Sequence, residues 1–165
     1  MGGRVVILAR HAKSSWATND PDLARPLSGR GKRDGLAAGR RLADFHIDVA
    51  LVSPATRARQ TWQRHQDGGA RASEVRETDA LYYAGTDDVV DLLRGLPASA
   101  RTVLVVGHEP LISDLALTLA APNDRTRAIE MRFPTSALAV LVDDGEWSDL
   151  DDGVCELVAF EIPRG

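Results

Sequence analysis

Val5-Val6-Ile7-Leu8-Ala9-Arg10-His11 is the stretch on which the fold turns. Residues 5–8 form a short unbroken apolar run, the pattern of a strand buried on both faces. The run then stops at an arginine and a histidine, which places chemistry-bearing side chains at a strand's carboxyl end. Residues 49–52 (Val-Ala-Leu-Val) and 102–106 repeat the apolar pattern, and the latter runs into Val106-Gly107-His108-Glu109-Pro110. Helical patterns lie between. Ser28 caps a helix to about residue 43, with Leu36 and Ala43 on one face, although Gly31, Gly35 and Gly39 weaken it. Ser53-Pro54 reads as N-cap and first helical residue of a second helix running through Trp62. A weaker strand is expected at 74–78 and a helix at 87–93, and Pro110 opens a helix with Leu111, Ile112, Leu115 and Leu119 at helical spacing. Residues 121–135 read as irregular. Residues 138–142 and 154–162 form a terminal hairpin around an acidic stretch with Gly145 and Gly153. Strands alternating with helices give an α/β fold: three layers, α/β/α, with a mostly parallel central sheet and a C-terminal hairpin. In such sheets the site lies at the carboxyl ends of the strands.

The whole chain, residues 1–165, is read as one domain, since two would each be unusually small. Apolar residues at 44% and charged residues at 27% exclude disordered and fibrous classes. A net charge of −4 argues against a general nucleic-acid binder. The single cysteine, Cys155, permits no intramolecular disulfide and no cysteine zinc site, and reads as a small buried apolar residue. The longest apolar run, residues 137–142, is too short to span a membrane. The start of the chain lacks a signal-peptide pattern, and Val6 stands where a myristoylation motif at Gly2 needs Ser or Thr. The expected setting is cytoplasmic, with a monomer as the default.

Two strong strands end in histidine, and the chain has only four. If both strands are central, His11 and His108 emerge on one edge. Arg10 precedes His11, and Arg57 sits one turn into the helix that leaves the second strand. Two fork-shaped cations beside a helix N-terminus make a phosphate cradle. No acidic or cysteine cluster accompanies them, so a metal site is not supported. There is no GxxxxGK[ST] loop, and no GxGxxG follows the first strand. Covalent phosphoryl transfer fits this set. A neutral imidazole attacks phosphorus, nearby cations oppose imidazolium and stabilise charge on the phosphoryl oxygens, and the second histidine donates to those oxygens.

These segments resemble the histidine phosphatase (phosphoglycerate mutase-like) superfamily. Leu8-Ala9-Arg10-His11-Ala12 is similar to its Arg-His-Gly signature, Ser53-Pro54-Ala55-Thr56-Arg57-Ala58-Arg59-Gln60-Thr61 to its Ser-Pro…Arg-Ala…Gln-Thr segment, and Val106-Gly107-His108-Glu109-Pro110 to its second-histidine segment. The match runs from about residue 4 to residue 120. The short chain and Arg25-Pro26-Leu27-Ser28-Gly29-Arg30-Gly31 are similar to the compact SixA-type phosphohistidine phosphatases. The resemblance implies that His11 is the nucleophile, that Arg10, Arg57 and His108 bind phosphate, and that no metal or organic cofactor is needed. It implies a phosphorylated protein or a small phosphorylated molecule as partner, with no nucleic acid and no membrane.

Departures from the family pattern bear on the substrate. Ala12 replaces the usual glycine. Ser14, a further candidate phosphate contact, and Trp16 match a mutase pattern whose asparagine is Ala17 here; Thr18 or Asn19 stand near enough in sequence to compensate. Trp16 is expected to pack in the loop over the site or to form part of a substrate rim. The carboxylate that protonates an alkoxide leaving group has no clear counterpart. Glu109, Glu77 and Asp79 are the candidates, and Glu109, just before Pro110, reads first as a helix cap. A protonated imidazole leaves without such help, so phosphohistidine or a related phosphoramidate is the natural substrate. The alternatives are a general small-molecule phosphomonoesterase and a non-catalytic phosphate-binding module. The total charge conceals a segregation. Residues 10–64 hold eleven Lys/Arg and five acids, a net of +6, which leaves −10 for the rest. Six acids fall within residues 143–153, expected at the far hairpin. The stretch with the first two motifs is therefore basic, as an anionic substrate requires.

Overall fold

Strand β1 (Arg4–Arg10) divides the core in two. Val6 and Leu8 face one layer and Ile7 and Ala9 the other, because successive strand side chains alternate between faces. The computed structural model describes residues 3–165, so the reading of Gly2 lies outside the described residues. Strands β2 (Ile47–Val52), β3 (Ala72–Glu77), β4 (Thr102–Gly107), β5 (Leu138–Asp143) and β6 (Glu156–Glu161) complete the sheet, in the order β3-β2-β4-β1-β5-β6. The first four strands are mutually parallel, and β5 runs antiparallel to β1 and β6. Helices α1 (Gly29–Leu42) and α2 (Thr56–Asp67) cover the face of Ile7 and Ala9 with Ala38, Leu42, Ala58 and Trp62. The short α3 (Ala80–Tyr83) leads into α4 (Thr86–Arg94), which covers the other face with α5 (Leu111–Leu119) and α6 (Asp124–Met131). The architecture is the α/β sandwich with a terminal hairpin that the alternation of patterns predicts. Among the described residues, no helix is long and apolar enough to cross a membrane.

Ser28 caps α1 as expected, its Oγ accepting from the Gly31 amide at 3.1 Å. The glycines that weaken α1 are places of close approach. A Cβ on Gly31 would stand 2.0 Å from the Lys13 carbonyl oxygen, and one on Gly39 would stand 2.3 Å from that of His65. Gly31 thus lets the loop after His11 lie directly on α1. Gly31→Ala gains about 1 kcal/mol of helix propensity. It must push the loop backbone aside, and overpacking of this kind costs more than that gain. The expected net loss is about 2 kcal/mol by urea unfolding; an unchanged midpoint would refute the packing argument.

Three sequence expectations are corrected. Helix α2 starts at Thr56 with Ala55 at its N-cap, not at Ser53-Pro54, and it extends past Trp62 to Asp67. Ser53 is still held in the sheet, its N–H donating to the Val106 carbonyl at 3.1 Å. Residues 121–135 are not irregular but contain α6. Asn123 and Thr126 form a reciprocal capping box there, and only Thr126 and Ile129 are buried, so apolar periodicity is nearly absent. Strand β3 begins at Ala72, before the expected 74, because an edge strand with exposed side chains carries little alternation. The acidic stretch lies where expected. Asp143 pairs with Arg4, at the opposite end of β1 from His11.

Candidate active site

The register of β1 against β4 sets the site. Arg10 lies opposite Gly107, and the His11 amide donates to the Gly107 carbonyl at 2.8 Å. His108 follows at once, so the two imidazole rings stand with centroids 5.1 Å apart. The backbone after His11 is pinned from α2: the Ala12 amide donates to Thr61 Oγ1 at 2.9 Å, and that hydroxyl donates to the Arg57 carbonyl at 2.7 Å.

His11 is 7% exposed. Its Nδ1 lies 2.7 Å from the Ala12 carbonyl oxygen. A carbonyl can only accept, so Nδ1 carries the proton and Nε2 keeps a free lone pair. Burial pushes the ring's pKa down to about 3, with His108, Arg57 and Arg10 acting in the same direction against the Ala12 carbonyl. His108 falls to about 4, first through burial and then through Arg57, with Asp22 opposing. Both rings are therefore neutral at pH 7. The His108 Nε2 lies 2.7 Å from Ser53 Oγ, which explains why Ser53 is not spent on capping α2.

Arg10 donates from Nη1 to the Phe133 carbonyl at 2.9 Å, and burial lowers its pKa from the ordinary guanidinium value. Arg57, on the first turn of α2, is 7% exposed. It donates from Nη1 to the Asp22 carbonyl at 2.7 Å and from Nη2 to Asp22 Oδ2 at 3.1 Å. Among the described residues, the buried Arg10 Nε, Arg57 Nε and His108 Nδ1 have no hydrogen-bond partner. A cavity of about 230 Å³ is lined by Arg10, His11, Ser14, Arg25, Arg57 and His108, among others. A second cavity of about 480 Å³ adjoins it, sharing Arg57, His108 and Glu109 and adding Asp22, Tyr82 and Asp114. Among the described residues no cluster of three or more His, Cys, Asp or Glu is arranged to hold a metal.

The structure thus brings Arg10, His11, Arg57, His108 and Ser14 together, although Ser14 Oγ already accepts from Arg25 Nη1 at 2.7 Å. The three candidate proton donors fare differently. Glu109 borders both cavities, but its carboxylate accepts from the Ser113 amide at 2.7 Å and from the Ser113 hydroxyl at 2.6 Å, the capping role its position suggests. Glu77 faces Arg59 at 3.5 Å beside a separate cavity, and Asp79 is exposed and lines neither cavity. Trp16 is not packed into the loop but 79% exposed, at the rim of the smaller cavity, with its ring against the Arg25 guanidinium at 3.6 Å. Thr18 and Asn19 are exposed and line neither cavity.

Four residues that sequence reasoning did not single out belong to this arrangement: Asp22, Arg25, Ser53 and Tyr82. Asp22 accepts from Arg57, from Arg25 Nε at 3.3 Å and from the Tyr82 hydroxyl at 2.7 Å. Those partners, Tyr82 foremost, hold its carboxyl at about 2 against a smaller effect of burial. Its only sequence signal is its place three residues before Arg25, just ahead of the segment 25–31 that is similar to the SixA-type branch.

Residues 6–82 match the model of the histidine phosphatase superfamily (branch 1). An uncharacterised protein of Mycobacterium tuberculosis is 41% identical over 161 residues, covering 94% of this chain and 99% of its own. The structure of a candidate phosphohistidine phosphatase SixA from Nakamurella multipartitia is 34% identical, with 99% of this chain and 98% of that one aligned at a TM-score of 0.84. The protein histidine phosphatase SixA complexed with tungstate shares the fold at 24% identity and a TM-score of 0.81, over 96% and 97% of the two chains. The chain belongs to the histidine phosphatase superfamily, in its SixA-type branch, and so to the phosphatases among the hydrolases.

Proposed function

We propose that this protein hydrolyses phosphohistidine, or a closely related phosphoramidate, through a covalent phosphoryl group on His11 and without metal or organic cofactor. The observation that supports the reading is the convergence of Arg10, Arg57 and His108 with His11 on one small cavity, the two rings 5.1 Å apart. Two guanidiniums and a second imidazole around one cavity suit an acceptor-rich, anionic ligand, which a phosphoryl group provides. In the first step His11 Nε2 forms a bond to phosphorus. The P–N bond to the substrate imidazole breaks, its electron pair returning to that ring, which is already protonated on its other nitrogen and departs neutral. Arg10, Arg57 and His108 hold the phosphoryl oxygens throughout. In the second step a water oxygen bonds to phosphorus and the His11–P bond breaks. The electrons return to Nε2, and the water proton passes to solvent.

The carboxylates favour a nitrogen leaving group. An alkoxide needs a proton, but Glu109 is committed to Ser113 and Asp22 is held ionised. The SixA-type relatives named above point the same way. The test compares a phosphohistidine-bearing protein or peptide with a panel of sugar phosphates and other monoesters. Phosphohistidine is expected to give kcat/KM at least about a hundredfold higher, the scale of a missing general acid. Rapid monoester hydrolysis with phosphohistidine untouched would replace this reading with a phosphomonoesterase. Absence of turnover and of any acid-labile phosphate on the protein would leave a binding module.

A further inference from the structure

We propose that Tyr82 and Asp22 are positioning residues for Arg57, fixing the plane of its guanidinium before substrate arrives. The proposal rests on the reading that Arg57 binds the phosphoryl oxygens. Its geometry joins three separate parts of the chain. Asp22, in a 3-10 turn (Asp22–Ala24), presents both its carbonyl and Oδ2 to the two terminal nitrogens of Arg57. That two-point grip fixes the rotation of the planar fork of a residue that lines the cavity with His11 and His108. Asp22 itself stands on an exposed turn, its side chain half accessible. Its rigidity comes from the Tyr82 hydroxyl, which donates to the same Oδ2 from α3, sixty residues away, and from Arg25 Nε on Oδ1. The Tyr82 ring is set in turn by an edge-on contact with His108, at 5.5 Å between centroids, and by a second with Tyr83 at 4.8 Å. The tyrosine therefore ties the Arg57 grip to the second histidine of the site. A donor fixed in this way needs no reorganisation when charge develops on the phosphoryl oxygens.

Tyr82→Phe removes one O–H and keeps the ring, the Asp22 charge and both cations. Measured on the full-length protein, tungstate binding is expected to weaken about tenfold, the scale of one charge-assisted hydrogen bond. The kcat/KM for phosphohistidine is expected to fall by a similar factor, with the urea midpoint unchanged. In an Arg57→Lys background, where no fork remains to be oriented, the same change should cost less than about twofold, since residues acting through one another are not additive. Retention of tungstate affinity and kcat/KM within about twofold in Tyr82→Phe would overturn the proposal. So would an equal loss in both backgrounds, which would mark Tyr82 as acting independently of Arg57. If Arg57→Lys alone leaves tungstate binding unchanged, the reading of Arg57 itself fails, and the pairing with it. A loss of activity tracking a lowered urea midpoint would reduce Tyr82 to a structural part and overturn the proposal as well.

Discussion

His11→Ala is expected to abolish turnover, by about 10⁴-fold or more, while the chain stays folded. The size follows from the path that is lost. The proposed reaction runs through a bond to His11 Nε2, and the other imidazole of the cavity is poorly placed to take it over. The His108 ring stands 5.1 Å from His11, but its Nε2 is tied to Ser53 at 2.7 Å. Direct attack by water on substrate in the Arg10–Arg57 cradle is the only route left, and removing a nucleophile with its partners intact leaves just such residual catalysis. Folding should survive, because the backbone here is held by the Gly107 carbonyl and by Thr61 rather than by the imidazole. The check pairs initial rates with acid quench. The wild type should show an acid-labile phosphate, and His11→Ala should show none. His108→Ala should keep a slow adduct, since it loses a donor and not the nucleophile. More than about a hundredth of wild-type rate in a folded His11→Ala protein would end the covalent reading, since losses at a true nucleophile are far larger.

The core of the fold was legible because it depends on local pattern. The short unbroken apolar runs at β1, β2 and β4 have the pattern of strands buried on both faces, and the sheet places β2, β4 and β1 side by side. Their matched ends brought His11 and His108 together by topology alone. Helix α6 escaped because one buried isoleucine and one buried threonine make no visible stripe; the Asn123–Thr126 pair was the cue. Ser53 illustrates a conflict between two good local signals. Ser-Pro before an apolar helix reads as a cap, but the same hydroxyl serves His108, fifty-five residues on. No local rule can rank a helix amide against a distant imidazole.

Asp22 and Tyr82 were hidden for a related reason. An aspartate in a polar loop and a tyrosine in a short helix look ordinary in sequence. Their meaning arises only when a loop folds across α2 and α3, at separations of thirty-five and sixty residues. The basic excess of residues 10–64 did mark the right region, yet it overstated the cause. Arg41 is paired with Glu161, Arg64 with Asp67 and Arg30 with Asp34. The cavity itself draws on Arg10, Lys13, Arg25 and Arg57, and one of its neighbours is an ionised aspartate.

The protein is expected to lose stability steeply between pH 6.5 and pH 4, and His65 is the clearest source. This ring is fully buried between α1 and α2, and neither nitrogen has a hydrogen-bond partner among the described residues. Burial holds its pKa at about 3, against about 6.5 in an unfolded chain. The unfolded state therefore binds the proton first as pH falls, and stability declines from pH 6.5 until the folded pKa is reached. At pH 5 that amounts to about 2 kcal/mol from this one ring. His11 and His108, depressed to about 3 and about 4, act in the same direction. Asp22, held at about 2, contributes stability that is lost as pH falls from about 4 towards 2, so its window starts below that of the histidines and overlaps only the acid end of theirs. His65→Leu isolates the term. It removes the titration and two unpartnered nitrogens while nearly conserving volume, so any packing cost is the same at every pH. The gain of the variant over wild type, from urea midpoints, should therefore be about 2 kcal/mol larger at pH 5 than at pH 7. Tungstate at saturation should flatten the part due to His11 and His108, because a bound anion favours their protonated forms, and leave the His65 part untouched. Parallel pH curves for wild type and His65→Leu would show that the buried ring is not the acid-sensitive element.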